Sequence, residues 1–102
     1  WFSDYNDPLD FLNIMKTGVY DSYGLYSNSE YDSLIDSLTG ENDNAKRLEI
    51  YQKLEDLLVA QDCGVAPLYY SDKHYYYQNW VKDFYTSSFG ASQELYRATV
   101  EK

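Results

Sequence analysis

With 102 residues the chain holds at most one small domain and one modest core, because a chain of this size buries only about 60 to 70% of the surface its unfolded form exposes. Eight lysines and arginines against 17 aspartates and glutamates leave a net charge of −9, which repels phosphate backbones and anionic membranes and argues against nucleic acid as a partner. A single cysteine, Cys63, excludes an internal disulfide and offers no metal-ligand set, and no stretch reaches the roughly 20 apolar residues of a membrane span. The first residue is Trp1 rather than methionine, as expected of a trimmed chain or a piece of something longer, so the missing signal peptide carries little information. Aromatic content is the outlier, with 13 tyrosines, 4 phenylalanines and 2 tryptophans. Tyrosine suits half-buried strands, and it suits a contact surface through its large area and single polar tip.

The opening stretch sets Trp1, Asp4 and Tyr5 ahead of a helix start. Asp7-Pro8 is a helix-entry pair, in which the aspartate caps an orphan N–H and the proline fits a first turn that needs no donor. Asp4 therefore lies outside the helix, where a carboxylate between Trp1 and Tyr5 in a partly desolvated pocket would attract a cation. Asp10 reads as an exposed helix residue near the positive dipole end. Leu9, Phe11, Leu12, Ile14 and Met15 predict a short helix over residues 8–16, stopped by Thr17-Gly18. Residues 19–26 read as a loop anchored by Tyr20, Tyr23 and Tyr26. Ser27-Asn28-Ser29-Glu30 fits a capping box with Ser27 as the cap, and Tyr31, Leu34, Ile35 and Leu38 predict a second helix ending at Thr39-Gly40.

Asn42 or Asp43 caps the longest helical pattern, residues 44–61, whose inward stripe is Leu48, Tyr51, Leu54, Leu57 and Leu58, widened by Ile50. The pairs Glu49/Lys53 and Asp43/Arg47, each four apart, read as a solvated charged face. Gly64 is expected to close this helix and Cys63 to be a small buried hydrophobe. Residues 65–70 read as a strand, restricted by Pro67 to an edge or to a position needing no donor. Helical periodicity then disappears. Residues 74–78 and 94–100 read as short strands, with Trp80, Val81 and Phe84 anchoring an irregular segment between them, and His74 as a surface or satisfied histidine. Neither run has an evident partner in the chain, so the sheet is expected to be completed by residues outside it.

The succession W-x-x-D-Y-x-D-P-x-x-F-L, carried by Trp1, Asp4, Tyr5, Asp7, Pro8, Phe11 and Leu12, resembles the dipeptide and oligopeptide solute-binding proteins of bacterial ABC importers, family 5 of the extracellular solute-binding proteins. Three later blocks keep the register: Tyr26-Ser27-Asn28 through Ile35, the helix bearing Arg47 and Tyr51, and Val65 with Pro67-Leu68-Tyr69-Tyr70. The resemblance implies a mixed α/β fragment of the type II periplasmic-binding-protein fold, with helices packed on a mixed sheet completed by absent residues. It implies the C-terminal portion of a two-lobed receptor, residues 1–71 in the C-terminal lobe and residues 72–102 returning to the N-terminal lobe. It further implies a non-catalytic, cofactor-free binding protein outside the cytoplasm, periplasmic or a cell-surface lipoprotein, with an oligopeptide as ligand and a membrane ABC permease as partner.

In peptide-binding members the aspartate of W-x-x-D-Y receives the peptide α-ammonium group, a role that carries over to Asp4, with Trp1, Tyr5 and Tyr70 as further peptide contacts. Enclosing an ammonium strips its hydration, and a carboxylate replaces that loss with charge-assisted hydrogen bonds. The alternative for Asp4 is an ordinary turn carboxylate. Where relatives continue the strand with a third aromatic, this chain has Ser71-Asp72. Relatives that bind nickel complexes, opines or sugars share the scaffold. Two readings compete from other classes: a glycoside hydrolase using Asp4, Asp7 and Asp10, and a carbohydrate-binding module stacking sugars on exposed aromatics.

Overall fold

The structure, a computed structural model, describes residues 1, 3–19, 23–86, 93–94 and 97–101. The chain forms two compact units, one of Asn6–Leu68 and one of Trp1–Tyr5 with Tyr69–Lys102.

The first unit is helical. Asp7 caps helix α1 (Leu9–Leu12) by accepting the Leu9 N–H at 2.9 Å, and Pro8 enters the first turn at φ −55°. A 3-10 turn, Asn13–Met15, extends α1 until Lys16 turns extended, and Gly18 follows at φ +77°. Asp10 is buried rather than exposed, at 7% of its accessible surface. Of the aromatics expected to anchor the next loop, Tyr26 packs edge-on against Tyr31 with ring centroids 5.3 Å apart; Tyr20 lies outside the described residues.

Helix α2 (Ser29–Ser37) is capped by Asn28, not Ser27. Asn28 is the last extended residue, at φ −147°, and its Oδ1 accepts the N–H groups of Glu30 at 2.8 Å and Tyr31 at 3.1 Å. Ser27 stands one position too early and bonds the Thr17 hydroxyl instead. Helix α3 (Asn44–Glu55) is capped by Asp43, which accepts from Ala45 at 2.9 Å and Lys46 at 3.4 Å, and it continues as a π-helical segment, Asp56–Gln61. The helical run thus covers the residues that the periodicity indicated.

The core joins Leu12 and Met15 to Tyr31 and Ile35 of α2, to Leu38 just after it, and to Tyr51, Leu54, Leu57 and Leu58. Tyr31 has no accessible surface, and its hydroxyl donates to the Leu12 carbonyl at 2.8 Å, so the phenol is buried without an orphan polar atom. Leu48 departs from the expected stripe, at 58% exposure. At about 100° per residue, Arg47, Tyr51, Leu54 and Leu58 share the centre of the inward face, and Leu48 falls about 100° to one side of it.

The helix end exchanges the roles expected of Cys63 and Gly64. Cys63 is exposed and takes the left-handed backbone, at φ +50°, that turns the chain off the helix. Gly64 answers to packing: a Cβ there would stand 2.7 Å from Cδ2 of Tyr26 and 3.0 Å from Cδ1 of Leu58.

In the second unit, β1 (Val81–Lys82) pairs antiparallel with β4 (Thr99–Val100), Val81 opposite Val100, and β2 (Tyr85–Thr86) pairs with β3 (Gln93–Glu94), Tyr85 opposite Glu94. The last run therefore finds a partner inside the chain, contrary to expectation, although residues 95–96 of it lie outside the described residues. Asp83, at φ +55°, stands between β1 and β2, in a conformation aspartate tolerates better than most residues. Phe84 sits between Tyr77 at 5.0 Å and Tyr75 at 6.0 Å, centroid to centroid. Residues 65–70 and 74–78 form no ladder among the described residues, because an extended run is a strand only when a neighbour accepts its hydrogen bonds. The protein is a mixed helix-and-sheet chain.

Candidate functional site

Asp7, at the entry of α1, is tied to the long helix. Its Oδ1 accepts from the Leu9 N–H and from the Tyr51 hydroxyl, and its Oδ2 accepts from Nη2 of Arg47 at 2.7 Å. Nη2 also donates to the Tyr51 hydroxyl, while Nη1 donates to the carbonyls of Leu38 at 3.3 Å and Glu41 at 3.1 Å. One guanidinium thus gathers the entry of α1, the chain after α2 and the face of α3. Arg47 does not belong to a solvated face with Asp43; it is turned inward, while Glu49 and Lys53 remain exposed.

Electrostatics follow the geometry. Burial pushes the Asp7 carboxyl up, but the Tyr51 hydroxyl, the Leu9 N–H and Arg47 outweigh it and hold the group below its usual value. The Tyr51 hydroxyl is pushed up to about 12 by burial and by its bond to Asp7.

A second polar cluster joins the start of α2 to the end of the long helix. The Tyr26 hydroxyl at 2.8 Å and Nδ2 of Asn28 at 2.7 Å both donate to Oδ2 of Asp62. The Asn28 and Tyr26 bonds lower the Asp62 carboxyl, and burial with the Asp62 contact raises Tyr26 to about 12. Asp62 is a partner that sequence reasoning missed. Its signal was the pair of polar groups in Tyr26-Ser27-Asn28, which need an acceptor once their neighbours are packed.

Trp1, Asp4, Tyr5 and Tyr70 all fall in the same compact unit, apart from Asp7 and the helices. All four are exposed: Trp1 by 48%, Tyr5 by 49% and Tyr70 fully, with Asp4 likewise on the surface. Phe2, inside the same motif, lies outside the described residues. Asp7 and Asp10, which a hydrolase would recruit with Asp4, are a cap tied to Arg47 and a buried helix residue. Among the described residues no group of three or more histidines, cysteines or carboxylates is arranged to hold a metal ion, and no helix is long and apolar enough to cross a membrane.

Comparison with known proteins yields several relatives. The chain is 34% identical over 70 residues to the probable deoxycholate-binding periplasmic protein YgiS of Escherichia coli. It is 32% identical over 81 residues to the periplasmic oligopeptide-binding protein OppA of Salmonella typhimurium, and 30% identical over 79 residues to the dipeptide-binding protein DppE of Bacillus subtilis. These matches cover 69%, 79% and 78% of the chain but only 13%, 15% and 14% of the relatives, so the chain spans a small part of their length. No protein-family model matches, and no solved structure matches significantly.

Proposed function

Because this chain belongs to the dipeptide and oligopeptide solute-binding proteins, family 5 of the extracellular solute-binding proteins, we propose that it is the C-terminal part of a receptor that captures oligopeptides and delivers them to an ABC permease. The receptor works outside the cytoplasm, the compartment stated in the names of its periplasmic relatives. It binds and does not catalyse. Residues 1–71 belong to its C-terminal lobe and residues 72–102 return to the N-terminal lobe, and closure of the two lobes encloses the ligand.

The observation that carries this reading is Asp4, exposed within W-x-x-D-Y, in a chain related to proteins named for binding oligopeptides and dipeptides. Asp4 receives the peptide's α-ammonium group, with Trp1, Tyr5 and Tyr70 beside it. Breaking such a pair once it is enclosed weakens binding by about 30-fold to several thousandfold. In the full-length receptor, Asp4→Asn should weaken peptides with a free N-terminus by an amount in that range and change little for their N-acetylated forms. Calorimetry with both forms checks this; a wild-type receptor indifferent to acetylation would refute the ammonium role.

The identity with YgiS favours a second reading, a ligand of the bile-acid class. Such an anion carries no ammonium for Asp4 to receive, so titration of the same receptor with deoxycholate separates the two.

A further inference from the structure

We infer that residues 56–61 are a two-register element, held in the π register by the clasp of Tyr26, Asn28 and Asp62 and returning to an α-helix when that clasp opens. All of these residues lie in one compact unit. Three bonds carry the π register. The Asp62 N–H reaches the Leu57 carbonyl at 2.9 Å, five residues back where an α-helix reaches four. The Gly64 N–H closes the helix on the Leu58 carbonyl at 2.7 Å, six residues back where the usual closing turn through a left-handed residue spans five. Nε2 of Gln61 donates to Oδ2 of Asp56 at 2.6 Å, across a five-residue spacing that an α-helix sets about 140° apart. The long helix therefore holds one surplus residue in its last turn.

A π turn is rare, so something must hold it. The core does not choose the register: Leu57 and Leu58 are buried, and an α-helix that buries Leu54 also carries positions 57 and 58 inward. Asp62 does choose. Removing the surplus residue turns it by about 100° around an axis that side-chain ends surround at a radius of about 5 to 6 Å, so its carboxylate travels about 8 Å. The bonds from the Tyr26 hydroxyl at 2.8 Å and from Nδ2 of Asn28 at 2.7 Å do not survive such a move. Both donors are fixed independently, Asn28 by capping α2 and Tyr26 by its edge-on packing with Tyr31, so the acceptor must come to them. The closing turn rests against the same Tyr26 ring through Gly64. Clasp and register stand or fall together, and with them the direction in which residues 65–68 leave the helix.

The test pairs a crystal structure of the Asp62→Ala variant of the full-length protein with hydrogen–deuterium exchange of the Tyr26→Phe variant. In Asp62→Ala the N–H of residue 62 should bond the Leu58 carbonyl instead of that of Leu57. Tyr26→Phe removes one donor but keeps the ring against Gly64 and Tyr31, which guards against loss of fold. Its peptides covering residues 57–64 should exchange about 2- to 10-fold faster, because the amides of Asp62 and Gly64 are released each time the registers interchange, while those of α2 stay within about twofold. An Asp62→Ala structure that keeps the Leu57 bond would overturn the inference. So would exchange in Tyr26→Phe that is unchanged at residues 57–64 or raised equally in α2, since the core alone would then hold the π turn.

Discussion

Arg47 and Asp7, 40 positions apart in sequence, form an ion pair in which Nη2 donates to Oδ2 at 2.7 Å. Neither side chain is fully buried, and the value of the pair comes from geometry shared with Tyr51 and the Leu9 N–H rather than from charge alone.

That geometry sets an acid limit. The Asp7 carboxyl titrates below its ordinary value of 3.8, so its contribution to stability is present above that value and is lost as pH falls through the lower folded one. The stability difference between wild type and Asp7→Asn should be constant at neutral pH and shrink below about pH 3.8. Urea denaturation at stepped pH measures it; a difference that persists unchanged at pH 2 would mean the carboxylate is not the titrating group.

The N-terminal cap of α2 offers a comparison between adjacent residues. Asn28→Ala removes two backbone contacts and the bond to Asp62, and should destabilise by about 1 to 2 kcal/mol or slightly more. Ser27→Ala removes only an exposed hydroxyl contact with Thr17 and should lie within about 0.5 kcal/mol of wild type. Thermal melts of both variants decide it, and a larger loss for Ser27→Ala would return the cap to the serine.

Gly64 tests packing against backbone conformation. Because Tyr26 and Leu58 occupy the space of a Cβ, Gly64→Ala should destabilise by about 1 to 3 kcal/mol. The companion Cys63→Gly relieves a left-handed non-glycine residue and should be neutral or stabilising by about 1 kcal/mol or less. Denaturant midpoints of the two variants check the assignment; the opposite ranking would show that Gly64 makes the turn.

The helices, their order and most of their inward residues were legible in the sequence, because a 3.6-residue period and a cap are local properties. Asp7, Asp43 and the span from Asn44 to Gln61 are such cases. The W-x-x-D-Y-x-D-P stretch and its companion blocks also identified the family. Distant partners were not legible. Arg47 looked like one end of a surface pair with Asp43, and only the packing of α1 and α2 on α3 turned it toward Asp7, the Leu38 carbonyl and the Glu41 carbonyl. The same holds for Asp62, for the exposed Cys63 and for β4, which pairs with β1. In each, the deciding contact joins segments remote in sequence, and periodicity carries no record of which remote group will arrive.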